Sequence, residues 1–175
     1  MVSFQRAPTA LSGAMGEWVD PTDDRARHWA SFKEGQVIAA VRLSMHASVE
    51  DLPHPEVFVD LCPTSKWPSP MAYYGRAVVH PDHRRQGLFS ASHEVCIDAA
   101  RRMGAKCLIA VSGSVAANHF APEVFINAGY QSLGEGRAYQ QIPYLATSLP
   151  TVLFHSLGQA KGRSGSAASP AEVAQ

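Results

Sequence analysis

The sequence predicts one α/β domain built on a mixed sheet with helices on its faces. Short apolar runs rich in β-branched residues alternate with segments of helical periodicity, so strands and helices are interleaved. The length of 175 residues suits one domain with its own core. Residues 21–157 carry this patterning, residues 1–20 are weakly patterned, and residues 158–175 are rich in Gly, Ser and Ala. We therefore expect the domain to span 21–157 and to be followed by a disordered tail.

The first part of the domain predicts a hairpin and a third strand. Residues 28–32 and 36–45 are apolar runs separated by a Lys-Glu-Gly turn, which is typical of two antiparallel strands. A loop rich in proline and acidic residues follows over 47–70. Its acidic side chains could attract a cationic amine, and a solvated loop is the equally simple alternative. Residues 71–80 predict a strand, which a proline directly after it stops.

The next segments predict a helix and a buried strand. Apolar side chains recur at helical spacing over residues 87–103. These are Leu88, Ala91, Val95, Ala99 and Met103. Gly104 follows them and suits a left-handed helix cap. Residues 106–112 form a continuous apolar run, as in a strand buried on both faces.

The last part of the domain predicts a second helix and two closing strands. Residues 118–128 predict the helix, with a proline tolerated in its first turn and Gly129 at its end. Residues 130–139 and 145–155 predict the strands. The chain therefore runs from a hairpin through two strand–helix units to a closing pair of strands.

Composition excludes several classes of function. Fifteen Lys and Arg balance fifteen Asp and Glu, so no basic excess indicates a nucleic-acid partner. No apolar run approaches the roughly 20 residues that cross a bilayer, and the N-terminus lacks the apolar core of a secretory signal. The three cysteines have neither disulfide nor metal-ligand spacing. We expect a cytoplasmic protein that holds no metal and binds neither nucleic acid nor membrane.

The segment from Val78 to Phe89 carries the clearest chemical signal. A strand ends at a proline, a basic turn follows, and Gly87 stands where the predicted helix begins. The first amides of a helix lack internal partners and the helix dipole adds positive charge there, so this end attracts anions. Arg84 and Arg85 add fixed positive charge, and glycine allows a phosphate to approach the backbone. On these features alone, a solvated basic turn that binds nothing is an equal alternative.

The same segment resembles the CoA-binding signature of the GNAT superfamily of N-acyltransferases. The family pattern R/Q-x-x-G-x-G/A is matched over 84–89, except that Phe89 stands at the last place. A second family pattern, N-x-x-A-x-x-x-Y/F-x-x-x-G-F/Y, is matched downstream. Its residues here are Asn118, Ala121, Phe125, Gly129 and Tyr130. The resemblance spans residues 28–139.

The resemblance implies a single domain whose twisted, mostly antiparallel sheet is splayed between its third and fourth strands. It implies acetyl-CoA or another acyl-CoA as the co-substrate and a small-molecule amine as the acceptor. The backbone of Ala77, Val78 and Val79 would hold the pantetheine arm. The rest of CoA would contact Arg84, Arg85, Gln86, Gly87, Leu88, Phe89 and Asn118. The resemblance leaves open whether the protein forms a homodimer.

The catalytic residues are less defined than the CoA site. Many relatives carry a glutamate on the strand before the signature and a tyrosine acid in the downstream helix. Here residues 71–76 contain no glutamate, and Phe125 occupies the tyrosine position. The candidates for proton transfer are Tyr74, His119 and Glu123. For each of them, a surface polar group or a buried, satisfied hydroxyl is the alternative.

A weaker likeness connects the N-terminal part to acyl-homoserine-lactone and N-acyl amino acid synthases, which take longer acyl chains. It rests on Asp20, Asp23, Asp24, Ala26, His28 and Trp29, with Arg42 and Leu43 in the hairpin. Three functions follow as hypotheses. The chain is an N-acetyltransferase, an acyl-CoA-binding sensor or interaction module without turnover, or a synthase that uses long-chain acyl-CoA or an acyl carrier protein.

Overall fold

The computed structural model describes residues 21–61, 67–112, 122–139 and 149–158. Their strands are β1 (Arg27–Lys33), β2 (Gln36–His46), β3 (Met71–Val79), β4 (Cys107–Ser112), β5 (Gln131–Glu135) and β6 (Thr151–Ser156). Their helices are α1 (Leu88–Arg102) and α2 (Pro122–Asn127). Asn118, His119, the weakly patterned segment 1–20 and the predicted tail beyond residue 158 lie outside the described residues. No helix in the described ranges has both the length and the apolar character needed to cross a membrane.

The strands form one mixed sheet in the order β1-β2-β3-β4-β6-β5. Only the central pair β3–β4 is parallel, and the other four pairs are antiparallel. The helix between β3 and β4 makes the crossover that a parallel pair requires. The predicted fold class, a mostly antiparallel mixed sheet flanked by helices, is confirmed.

The predicted strands and helices agree with the structure in type and order, and they differ at their ends. The first three strands and α1 begin and end within a residue or two of the predicted positions. The strand predicted over 130–139 is shorter, because β5 ends at Glu135. The described part of the second helix begins at Pro122, so the predicted start at 118 is not tested.

Helix α1 buries a different face from the one that its apolar spacing indicates. Val95 is 40% exposed, whereas the buried side chains are His93, Cys96, Ala99 and Ala100. Burial follows the stripe that starts at Phe89, because that side meets the sheet. The buried stripe is offset by one residue from the predicted one and shares Ala99 with it, and this offset brings His93 into the core.

Two apolar clusters cover the two faces of the sheet. Helix α1 packs on one face, where Leu43, Ala72 and Leu108 are buried. The loop after β2 covers the other face through two short 3₁₀ turns, Val49–Asp51 and Pro55–Phe58. The loop is thus a layer of the fold as well as a connection. Two of its acidic groups pair with arginines, Asp51 with Arg25 at 2.9 Å and Asp60 with Arg137 at 2.6 Å, which argues against their attracting a cationic amine.

Candidate active site

The sheet splits between β3 and β4. Their parallel pairing ends at Tyr74 and Ala110. Beyond that point β3 continues against β2 as far as Val79, and β4 continues against β6 as far as Ser112. The two strands thus follow different partners, and the sheet opens towards the carboxyl end of β3.

A bulge in β3 accompanies the split. The register between β2 and β3 shifts between Ala40 and Arg42. Opposite the shift, Arg76 has a φ of 51°, a left-handed conformation that costs a non-glycine residue on the order of 1 kcal/mol. An extra residue on one strand bends it and increases its twist. The bulge therefore lies where β3 leaves β4.

The turn after β3 leads directly into the N-terminus of α1. It consists of the 3₁₀ turn Pro81–His83 and two left-handed residues, Arg85 at φ 60° and Gly87 at φ 77°. The first bond of the helix runs from the Ala91 amide to the Gly87 carbonyl at 2.9 Å. Amides before that bond have no intrahelical acceptor and carry the positive end of the dipole. A Cβ placed on Gly87 would meet nothing within 4 Å, so this end is open to an incoming anion.

Apart from Asn118, which lies outside the described residues, the predicted CoA-contacting residues lie along one continuous strand–turn–helix path. Ala77, Val78 and Val79 end β3. The side chains of Arg84, Arg85 and Gln86 and the backbone of Gly87 are exposed around the helix N-terminus. The Arg84 Nε donates to the Val79 carbonyl at 3.4 Å, which ties the turn back to the strand.

Phe89, the residue that departs from the signature, turns its ring inward. The ring lies against Tyr74 at a centroid distance of 6.1 Å and against Phe125 at 5.4 Å, edge to face in both cases. Its bulk is therefore in the core between α1, α2 and β3. The side chain does not occupy the open space at the Gly87 turn.

Tyr74 is buried at the closed end of the split. It is 3% exposed, and within the described residues its hydroxyl has no hydrogen-bond partner. Burial, and secondarily Cys96, raise the pKa of Tyr74 well above its usual value, so the hydroxyl stays protonated.

The described residues do not bring the catalytic candidates together. Glu123 is exposed on α2, and the residue of that helix that touches Tyr74 is the buried Phe125, with ring centroids 5.9 Å apart. His119 lies outside the described residues.

One buried polar pair beside this site was not predicted. The His93 Nε2 and the Tyr130 hydroxyl are 2.9 Å apart and share a hydrogen bond. Burial, with a smaller contribution from the charge of His155, lowers the pKa of His93 to about 4. The available signal was the spacing of Phe89, His93 and Cys96, which places the histidine on the face that enters the core.

A second unpredicted cluster lies at the bulge. The Asp23 carboxylate is 2.7 Å from the Arg42 guanidinium and 3.5 Å from that of Arg76. In the sequence, Asp23 and Arg42 stand out only as part of the weaker likeness to N-acyl amino acid synthases. Arg76 joins them because the bulge gives it a left-handed backbone, which no local pattern indicates.

A model of the acetyltransferase (GNAT) family matches residues 3–130, which include β3 and β4 with the split between them, the turn before α1, and α1 itself. The chain belongs to this family. A search of curated protein sequences gives no match. The resemblance drawn from the signature residues is confirmed, and the protein is an acyltransferase of the GNAT type.

Solved structures share the fold at low sequence identity. The ribosomal-protein-S18-alanine N-acetyltransferase from Escherichia coli is 17% identical with a TM-score of 0.55, covering 93% of this chain and 87% of its own. The N-acyl amino acid synthase FeeM from uncultured soil microbes is 10% identical with a TM-score of 0.58, covering 90% and 86%. The GNAT-like decarboxylase GphF, in complex with isobutyryl-CoA, is 16% identical with a TM-score of 0.55, covering 74% and 77%.

Proposed function

We propose that the protein transfers an acetyl or other acyl group from acyl-CoA to the amine of a small-molecule acceptor, by direct attack in a ternary complex. The observation that carries this proposal is the split between β3 and β4, with the open N-terminus of α1 at its end. The CoA complex of the GNAT-like decarboxylase supports a CoA thioester as donor. Two buried free cysteines, Cys96 and Cys107, support a reducing, cytoplasmic setting.

In this proposal the pyrophosphate of CoA binds at the turn before α1. First-turn amides and the helix dipole supply the neutralising partial charge, and Arg84 and Arg85 supply full charges. The left-handed Gly87 leaves the approach clear of side-chain atoms. Gln86 is tethered through its Nε2 to the Asp82 carbonyl at 3.4 Å, which helps to hold the turn in shape.

The pantetheine arm then lies along β3 in place of the missing strand. Backbone groups of Ala77, Val78 and Val79 pair with its amides, as a neighbouring strand would. One backbone N–H in this stretch also polarises the thioester carbonyl as it becomes an oxyanion, an effect worth about 3 kcal/mol per well-aimed donor. Holding the amine and the thioester together in one geometry supplies much of the remaining acceleration.

The acceptor amine attacks the thioester carbon as the neutral base. An ordinary alkylamine has a pKa of about 10, so a proton must leave before or during attack. As the C–S bond breaks, the thiol of CoA departs as thiolate. A thiol with a pKa of about 8.5 leaves without a strong acid, so the phenylalanine at position 125 is compatible with turnover.

The test is calorimetric titration of CoA into the wild type and into Gly87→Glu. The new carboxylate would stand against the phosphates, so we expect affinity to fall by at least a hundredfold. Gly104→Glu is the matched control. Gly104 also has a left-handed φ, of 81°, and a Cβ there also meets nothing within 4 Å, but it ends the same helix. Equal affinity in the two variants would place the CoA site elsewhere.

Turnover is tested separately, with acetyl-CoA and a panel of primary amines, by following release of the free thiol. Thiol release that depends on the amine and is lost in Gly87→Glu supports transfer at this site. Tight CoA binding without thiol release across the panel would favour a binding module instead.

A further inference from the structure

We infer that the ring of Tyr74 is the end wall of the acyl site, and that the donor is therefore a short-chain acyl-CoA. This inference rests on the proposed function and adds the class of acyl group. Two observations carry it. Tyr74 is the last residue of β3 that pairs with β4 before the strands separate, and contacts with neighbouring rings hold its side chain in place.

The direction of the bound donor follows from the order of the elements. The anion-binding turn lies beyond the carboxyl end of β3, so an arm anchored there runs back along the strand. From Val79 to Gly75 a strand covers about 13 Å at ~3.3 Å per residue. An acyl group at the far end of the arm is then directed towards the closed end of the split, where Tyr74 pairs with Ala110.

Three aromatic rings from three elements occupy the helix-facing side of that closed end. Tyr74 of β3 contacts Phe89 of α1 and Phe125 of α2, and these two contact each other, with centroid distances of 5.4–6.1 Å. Edge-to-face contacts at these distances are favourable, and they restrict the rings. A ring held by contacts with both helices does not yield to a longer acyl chain without losing these contacts.

On the same side of the sheet, the residue two before Tyr74 on β3 and its partner across the split on β4 are small, whereas its partner on β2, Leu43, is large and completely buried. Ala72 and Ala110 are completely buried in the same apolar cluster. Replacing Tyr74 by alanine would therefore line the end of the split with three alanines. That change would open an apolar channel whose length is set by α1, so the tyrosine ring is the element that limits the acyl group.

The inferred acyl site stops long acyl chains, whereas the site of a long-chain synthase must accommodate them. Where an acyl chain can extend into an apolar channel, each buried methylene adds about 0.8 kcal/mol, or about fourfold in affinity. Where a wall stops it, added methylenes contribute nothing or weaken binding through overlap. Affinity as a function of chain length thus distinguishes the two arrangements.

The experiment measures the dissociation constants of CoA, acetyl-CoA, butyryl-CoA and hexanoyl-CoA for the full-length wild type and for Tyr74→Ala. For the wild type we expect hexanoyl-CoA to bind no more tightly than acetyl-CoA. In Tyr74→Ala we expect the ratio of the acetyl-CoA to the hexanoyl-CoA constant to rise at least tenfold. Tyr74→Leu, which opens less space with less risk to folding, should raise it by a smaller factor.

Two further variants test whether a change in this ratio comes from loss of the Tyr74 ring or from any substitution of an aromatic residue. Tyr74→Phe keeps the ring and should restrict hexanoyl-CoA as the wild type does. Phe32→Ala removes a 66% exposed ring on the edge strand β1 and should leave the ratio at the wild-type value.

The outcomes distinguish this inference from the proposal on which it rests. A wild type that binds hexanoyl-CoA tenfold more tightly than acetyl-CoA, or folded Tyr74 variants with an unchanged ratio, would overturn the wall and leave the CoA site intact. A wild type that binds neither CoA nor any acyl-CoA would overturn both.

Discussion

Phe125 stands at the position where many relatives carry a tyrosine acid, and its ring is part of the core. Its ring is 3% exposed and contacts Tyr74, Phe89 and Tyr130, with centroids 5.4–5.9 Å away. A residue in such surroundings is held by packing, and a hydroxyl added to it would have to find a partner in an aromatic cluster.

We expect Phe125→Ala to lower the free energy of unfolding by ~3–5 kcal/mol, because it leaves a cavity among three rings. Phe125→Tyr should change kcat by no more than a few-fold, since the departing thiolate needs no strong acid. Urea denaturation and steady-state kinetics of the two variants check these values. A hundredfold gain in kcat for the tyrosine variant would show that the wild type lacks a working acid.

At the scale of elements, the hydrogen bond between His93 and Tyr130 joins α1 to the start of β5. The pKa of His93 is about 4 in the folded protein and close to the ordinary value of about 6.5 in the unfolded chain. Between these values the unfolded chain binds more protons than the folded one. Stability therefore falls as the pH falls through this window.

We expect this histidine alone to make the protein about 2 kcal/mol less stable at pH 5 than at pH 7.5. His46, whose pKa is also lowered by burial, acts in the same direction. The measurement is urea denaturation at both pH values for the wild type and for His93→Gln, which keeps a hydrogen-bonding side chain but does not titrate. An acid dependence as steep in the variant as in the wild type would assign the effect to other groups.

At the scale of the whole molecule, the loop layer after β2 contacts the opposite edge of the sheet at Gly136, the residue that follows the edge strand β5. The Gly136 amide donates to the Pro150 carbonyl at 2.7 Å, and the next amide, of Arg137, donates to the Val57 carbonyl at 3.1 Å. A Cβ at Gly136 would overlap the Val57 carbonyl oxygen and lie 2.8 Å from the Val57 Cγ1. The close approach of two backbones leaves no room for a side chain.

Gly136→Ala should accordingly destabilise the protein by about 1–3 kcal/mol, because either the loop or β5 must shift. Gly158→Ala is the control, since a Cβ there meets nothing within 4 Å. Thermal unfolding of the two variants measures the difference. Equal melting temperatures would mean that the loop layer adjusts freely at Val57.

Much of the fold could be predicted because its signals are local. The hairpin, β3, α1 and β4 each follow from the spacing of apolar residues within one segment, and Gly104 adopts the left-handed conformation predicted for it. The buried face of α1 could not be derived in this way. Two apolar stripes run along the helix, and only contact with the sheet selects the one containing His93.

The sequence by itself determined the order of strands and helices, the basic turn before α1 and the family to which these motifs point, because each is written in neighbouring residues. The tertiary structure alone decided where β3 parts from β4, that the Phe89 ring turns away from the turn, and that Tyr74 is the last residue of β3 to pair with β4. Those features depend on the register between strands and on packing between segments far apart in the chain. A short-range pattern contains no information about either.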